Sequence, residues 1–268
     1  MVIIGNKYEL LEIIGEGNFG KIYKGTNIRT KEEVAIKIEP IQSEINSLKH
    51  ETKIYQYLNV ISGIPSLKWY GTDLNHRYMV ITLLGNNLST LLQKHSFFSL
   101  QVTLQIGIQA LNIIEKIHEM GLIHRDIKPD NFLFGINENK EQLYLIDFGM
   151  CKRYTKDNGE HMKMSKIKKI IGSLNYCSIN SHLLNELSRR DDMEMIGYVL
   201  INISCGNLLW KTLTTENEIM KRKILLTSNI KIPGIPDVFI LYLKYVKNLG
   251  FEEKPDYEYI RELFSKCE

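Results

Sequence analysis

The chain has 268 residues, with 34 Lys and Arg against 31 Asp and Glu, a formal net charge of +3, 44% apolar and 24% charged residues. This is the balance of an ordinary folded protein, long enough for one large domain or two lobes. It excludes extensive disorder and carries neither the basic excess of a nucleic-acid binder nor an acidic tail.

Cysteines at 151, 177, 205 and 267 are too few and too far apart for a disulfide scaffold, and none forms a Cys-x-x-Cys pair, so a reducing compartment is expected. The opening segment 1–7 has too short an apolar run for a signal peptide. No later stretch approaches the roughly 18 apolar residues of a membrane span. The expectation is a soluble monomer of the cytoplasm, with the nucleus as a second location, and with neither a membrane nor a nucleic acid as partner. The Asn-x-Ser matches at Asn87 and Asn202 then read as incidental.

From residue 8 to about 81, short β-branched and aromatic runs between turn residues predict strands at 8–14, 21–23, 34–38, 67–70 and 78–81. One helical stretch interrupts them: Ile45, Leu48, Tyr55 and Leu58 recur at helical spacing, and Glu51 shares their apolar face. A carboxylate there wants a cation. After Leu84-Gly85 the period lengthens, and a helix is predicted over 100–120, with Leu104, Ile108 and Leu111 on one face and Gly121 as its stop. Further helices are predicted around 191–205, 215–226, 236–249 and 257–266. There is no internal repeat and no low-complexity tract. The chain thus reads as one α+β domain over 1–268, a small sheet-rich lobe of about eighty residues followed, after a change of structural class near 82–85, by a larger helical lobe.

Four segments carry chemistry. Gly15-Glu16-Gly17-Asn18-Phe19-Gly20 matches G-x-G-x-x-G, and because Lys21-Ile22-Tyr23 continues as a strand, a hairpin over phosphates is favoured above a dinucleotide-binding helix. By itself the match could be an ordinary glycine turn. Lys37 ends the apolar run Val34-Ala35-Ile36, and Glu51 is its expected partner; Lys37 would then contact the α- and β-phosphates of ATP. A buried Lys-Glu pair without a ligand is the alternative.

The strongest signal is His124-Arg125-Asp126-Ile127-Lys128-Pro129-Asp130-Asn131. Asp126 would accept the proton of a substrate hydroxyl, Asn131 would offer an amide oxygen to Mg2+, and Lys128 would neutralise the transferring phosphoryl group. Asp147-Phe148-Gly149 follows Tyr144-Leu145-Ile146, which places a carboxylate at a strand end for Mg2+ bridging the β- and γ-phosphates. The order of these groups resembles that of protein kinases, and Lys128 two residues after the aspartate is typical of Ser/Thr rather than Tyr kinases.

Further marks run along most of the chain: Gly5-Asn6-Lys7-Tyr8, Gly63-Ile64-Pro65 with Lys68-Trp69, Leu83-Leu84-Gly85, and Lys128 to Leu133. Ser178-Ile179-Asn180 stands where most protein kinases carry Ala-Pro-Glu, and Ser188-Arg189-Arg190-Asp191-Asp192, Gly197-Tyr198-Val199-Leu200 and Lys254-Pro255-Asp256-Tyr257 complete the set. On these the chain resembles the casein kinase 1 family over about residues 5 to 264.

The resemblance implies transfer from ATP, with Mg2+, to Ser or Thr of protein substrates in acidic or phosphorylated contexts. It implies a bilobal fold with an antiparallel sheet lobe (1–81), a hinge (82–84) and a helical lobe (85–268), makes Ile81 the gatekeeper, and gives adenine to the hinge backbone of Thr82, Leu83 and Leu84. Ile14, Ile22, Ala35 and Leu133 join the glycine-rich segment and Lys37 around the nucleotide. Lys168 and Lys221 match the family's substrate-anion residues, but Asn175 stands where the family carries Arg and Thr212 where it carries Gly, so a weakened preference for phosphorylated substrates is expected.

Lys163, Lys166, Lys168 and Lys169 could attract acidic partners or form a solvated loop. Lys221-Arg222-Lys223 reads as a charged helix face rather than an import signal, and Cys151 and Cys177 as inert thiols. Family members generally need no activation-loop phosphate, so basal activity is expected, although Arg125 could grip a phosphate on Ser165 or Ser173. The last predicted helix ends close to residue 268, so no autoinhibitory tail is expected. A partner-binding pseudokinase is the competing class; the presence of Lys37, Glu51, Asp126, Asn131 and Asp147 together favours an enzyme.

Overall fold

The computed structural model describes residues 2–17, 20–42, 47–228 and 232–267. In chain order its first elements are β1 (Val2–Ile4), β2 (Tyr8–Gly17), β3 (Gly20–Asn27), β4 (Glu33–Pro40), α1 (Ser47–Tyr57), β5 (Leu67–Thr72) and β6 (His76–Thr82). Then follow α2 (Leu88–His95), α3 (Leu100–Glu119), β7 (Leu122–Ile123), β8 (Phe132–Phe134), β9 (Leu143–Leu145) and β10 (Lys152–Arg153). The chain continues through α4 (Ile179–His182), α5 (Arg189–Cys205), α6 (Glu216–Leu225), α7 (Asp237–Asn248) and α8 (Tyr257–Ser265). The architecture is bilobal α+β, and the chain divides into two compact units, Met1–Asn86 with Leu133–Gly149, and Asn87–Phe132 with Met150–Glu268.

In the first unit six strands form one antiparallel sheet in the order β1-β2-β3-β4-β6-β5. The central strand β4 explains the sheet's two faces. Val34 and Ile36 point to one side, where they pack with Ile4, Tyr8, Tyr78 and Val80 into an apolar core. Ala35 and Lys37, one residue out of phase, point to the other. The glycine-rich segment is a hairpin, as its sequence predicts: Gly17 pairs with Gly20 across β2 and β3. Gly20 has φ +138, and a Cβ there would collide with the Ile38 carbonyl, so only glycine fits.

Helix α1 buries Leu48, Glu51 and Tyr55 on one face. Its N-terminus is held by Glu39, wholly buried at the end of β4, which accepts from the Ser47 hydroxyl and from Leu48 N (3.3 Å) and pairs with Arg77 (3.3 Å). An anion at that end also suits the helix dipole.

A division drawn in sequence order near 82–85 leaves 133–149 with the helices, whereas backbone hydrogen bonds carry that segment back to the sheet unit. Gly85 N donates to Phe134 O (2.8 Å), Phe134 N to Asn86 O (3.1 Å), and Leu145 N to Gly63 O (2.8 Å). These bonds set the segment ahead of Asp147.

The second unit is organised by α5, in which every residue from Asp191 to Ile203 is buried, and which packs against α3 and α7. Gly197 permits the close approach, because a Cβ there would lie 2.9 Å from the Tyr242 ring. Side-chain caps start several helices: Ser99 accepts from Val102 N (3.3 Å), Thr215 from Glu218 N (3.4 Å) and Asp256 from Tyr259 N (2.9 Å). The predicted helices at 100–120, 191–205, 215–226, 236–249 and 257–266 correspond to α3, α5, α6, α7 and α8.

Helix α2 does not appear among the sequence expectations. Its signal was present in Asn87, whose side chain accepts from Thr90 N at 2.7 Å, a cap residue inside what also reads as a glycosylation match.

Candidate active site

Within the first unit, the strand register assembles the residues expected around a nucleotide. Ile22 pairs with Lys37 and Ala35 with Ile81, so these four side chains lie on the face of β3, β4 and β6 opposite the apolar core. Gly15, Glu16 and Gly17 continue along β2, with Ile14 exposed beside them; Leu133 sits on β8, and Thr82, Leu83 and Leu84 end and follow β6. Asn18, Phe19 and Ile45 lie outside the described residues.

Lys37 Nζ is 2.7 Å from Glu51 Oε2 and 3.6 Å from Asp147 Oδ1. Burial pushes the Lys37 ammonium pKa down, but the two carboxylates outweigh it and hold the group above its ordinary value. Glu51 is wholly buried, and burial lifts its carboxyl pKa against the pull of Lys37. The same helix face supplies Tyr55, whose hydroxyl accepts from Asp147 N (3.3 Å) and whose ring meets Phe148 edge-on at 5.0 Å. Asp147 takes φ +67, a left-handed conformation that a non-glycine residue adopts at some cost.

Within the second unit, Asp126 is bound on both oxygens. Oδ2 accepts from Lys128 Nζ (2.6 Å), and Oδ1 accepts from both the backbone N (2.9 Å) and the hydroxyl (2.8 Å) of Ser173. Asn131 Nδ2 donates to the Asp126 carbonyl (2.9 Å), which orients its amide and leaves the oxygen as a hard donor of the kind Mg2+ takes.

The backbone ahead of Asp126 is fixed by Asp192 of α5, which accepts from His124 N (2.7 Å) and Arg125 N (2.8 Å). His118 Nε2 lies 3.0 Å from the same carboxylate, and its Nδ1 lies 2.6 Å from the Tyr257 hydroxyl. Burial would raise the Asp192 pKa, yet these hydrogen bonds hold it below the usual carboxylate value, while burial lowers that of His118.

A protein kinase domain family model matches residues 8–264. The chain is a member of the protein kinase family. The kinase carries Lys37, Glu51 and Asp147 in one unit and Asp126, Lys128 and Asn131 in the other.

The kinase also shows what its distinctive motifs do locally. Ser178 Oγ and Asn180 Nδ2 donate to Asp191 Oδ1 (2.6 and 3.0 Å), and Ile179 N donates to Glu194 Oε1 (3.1 Å). Ser178-Ile179-Asn180 is thus tied to the first turns of α5, where burial pushes Asp191 up to about 6.

Other residues singled out by sequence fall differently. Lys168, Lys221, Lys163 and Lys169 are exposed, and Lys166 donates to Leu183 O (3.2 Å) and Asn185 Oδ1 (2.7 Å). Arg125 Nε donates to Met150 O (2.7 Å). Ser173, which could be read as a phosphorylation site, already gives its hydroxyl to Asp126, so a phosphate there would stand against that carboxylate. Burial pushes the Cys151 thiol up to about 12 and raises that of Cys177, as inert thiols require.

Lys223 departs most from expectation: it lies on no charged helix face but is fully buried. Ser173, Asp192, His118 and Tyr55 support the site in roles that sequence reasoning does not assign them: Tyr55 reads only as part of an apolar helix face and Ser173 only as a phosphorylation candidate. Asp192 leaves a local trace as a carboxylate opening a helix of buried residues.

Proposed function

We propose that this kinase is an active Ser/Thr protein kinase of the casein kinase 1 type, acting as a monomer on acidic or phosphorylated protein substrates. The observation that carries the reading is the Asp126 carboxylate, aimed by three donors from Lys128 and Ser173. Asp126 takes the proton of the substrate hydroxyl, and Lys128 offsets negative charge as the phosphoryl group moves. When bound, Mg2+ and ATP supply the transferable group and its charge neutralisation.

Lys37, held by Glu51, is suited to the α- and β-phosphates; Asn131 and Asp147 offer hard oxygen donors for the metal. Thr82 to Leu84 take adenine through backbone groups, with Ile81 as gatekeeper and Ile14, Ile22, Ala35, Leu133 and the glycine-rich hairpin around the nucleotide. Among the described residues no helix is long and apolar enough to cross a membrane. The casein kinase 1 assignment rests on the Ser178-Ile179-Asn180 motif in place of Ala-Pro-Glu, whose Ser178 and Asn180 side chains are both engaged by Asp191.

The test is ATP-dependent phosphate incorporation into casein by the wild type and by Asp147→Asn. Activity that collapses in the variant supports the enzyme; wild type no more active than the variant leaves a partner-binding pseudokinase as the reading.

The substrate anion is met by Lys168 and Lys221, with Asn175 and Thr212 in place of the family's Arg and Gly. One lost charge-assisted hydrogen bond is worth about 1.5–3 kcal/mol, or roughly ten- to a hundredfold in specificity. The kinase is therefore expected to show a weaker gain in kcat/KM from priming phosphorylation than its relatives show. Paired primed and unprimed versions of one peptide measure this, and a gain as large as the relatives' refutes it.

A further inference from the structure

The turn after Ser173 points its carbonyls at two side chains from distant parts of the same unit. Lys223 Nζ donates to Leu174 O (2.8 Å) and Cys177 O (2.7 Å), and Trp210 Nε1 donates to Asn175 O (2.9 Å). The third ammonium proton has His182 Nε2 at 3.1 Å, which must act as the acceptor because an ammonium can only donate. The faces of Tyr198 and Trp210 lie 5.2 and 5.7 Å from the cation, close enough for cation-π attraction. Lys223 is thus fully buried with each proton matched to an acceptor. Burial lowers its pKa, and Cys177 and Glu194 oppose that shift.

An apolar side chain would fill this space without the cost of burying a charge, so the observation asks what the ammonium holds. What it holds is one tight turn: Tyr176 N and Cys177 N both donate to Ser173 O at 2.8 Å, and Ser173 in turn gives its N and hydroxyl to Asp126. Movement of the 174–177 carbonyls therefore moves the two donors that aim the catalytic carboxylate.

We propose that Lys223 and Trp210 form a clamp that sets the 173–177 turn against Asp126, making both positioning residues for the protein substrate rather than for the nucleotide. This rests on the kinase reading above. The clamp works without phosphorylation, because its charge is a lysine already in place.

The test uses Lys223→Met, which keeps length but removes every donor, and Trp210→Phe, which keeps a ring over the ammonium and removes one N–H. Hydrogen exchange at 173–177 is expected to quicken in both, with exchange at 34–38 unchanged. The peptide kcat/KM is expected to fall about tenfold or more in Lys223→Met, the factor of one charge-assisted hydrogen bond. In Trp210→Phe it falls about threefold. KM for ATP stays within twofold in both. An active wild type whose Trp210→Phe variant keeps its peptide kcat/KM overturns the positioning role alone. Loss of ATP and peptide parameters together overturns the substrate-side assignment. A wild type that phosphorylates nothing overturns the kinase reading, and unchanged exchange in both variants overturns the clamp whatever the turnover.

Discussion

Asp126→Asn is expected to fold as the wild type does and to lower kcat by about 10²- to 10⁴-fold, the range that a positioned general base supplies. The amide oxygen can still accept from Ser173 N and Oγ, now 2.9 and 2.8 Å from the carboxylate, so the turn at 173 keeps its anchor. The amide nitrogen then faces Lys128 Nζ, 2.6 Å from Oδ2 in the wild type, and two donors cannot share that contact. Lys128 swings away, and the variant loses both the carboxylate proposed as proton acceptor and an aimed cation. In the proposed reaction these groups act on the substrate hydroxyl and the phosphoryl group, so the loss falls on kcat, with KM for ATP little changed. Steady-state kinetics on one peptide measures it, with circular dichroism as the folding control; a kcat within tenfold of wild type removes Asp126 from its assigned role.

The second large effect is on stability and separates the two ends of the buried ion pair. Lys37→Met leaves Glu51 and Asp147 facing each other without their shared cation, whereas Glu51→Gln leaves Lys37 with Asp147 at 3.6 Å. Breaking a buried pair by removing one partner costs about 3–5 kcal/mol. Lys37→Met is expected to reach that range and to lower Tm by about 6 to 20 °C; Glu51→Gln is expected to cost clearly less.

The pH dependence follows from the direction of the Glu51 shift. Its carboxyl is already lifted above the usual value of 4.5 by burial, with Lys37 pulling it down. Removing Lys37 lifts it further, so the folded variant binds a proton that the unfolded chain has released. Stability from such a group is present at low pH and is lost as pH rises through the folded-state pKa. The destabilisation of Lys37→Met is thus smaller at pH 5 than at pH 8. Thermal melts of both variants at the two pH values measure this, and equal losses, or a larger loss at pH 5, contradict the proposed coupling.

How much of this is legible from residues varies by position. Lys37 and Glu51 can be paired on paper because an apolar run ending in a cation is followed, 14 residues on, by a carboxylate on the apolar face of a helix. Asp126, Lys128 and Asn131 lie within one short loop, so their spacing nearly fixes their geometry. Lys223 misleads for the opposite reason. Beside Lys221 and Arg222 it looks like solvated charge, and only the packing of α6 turns that one position inward onto the carbonyls of Leu174 and Cys177. Helix α2 is short, and its Asn87 cap has more than one local reading.

Element types, their order and the grouping of residues within the Asp126 and Asp147 loops follow from local pattern, since hydrophobic period, turn residues and short-range spacing are properties of neighbouring residues. The partners of buried polar groups do not. Ser173 reaches Asp126 across 47 positions, Asp192 reaches His124 N across 68, and the 133–149 segment returns to the sheet through bonds to Gly63, Gly85 and Asn86. Each of those bonds exists because a polar group removed from water must find a partner among whatever elements pack beside it, and that neighbourhood is set by the folded chain as a whole.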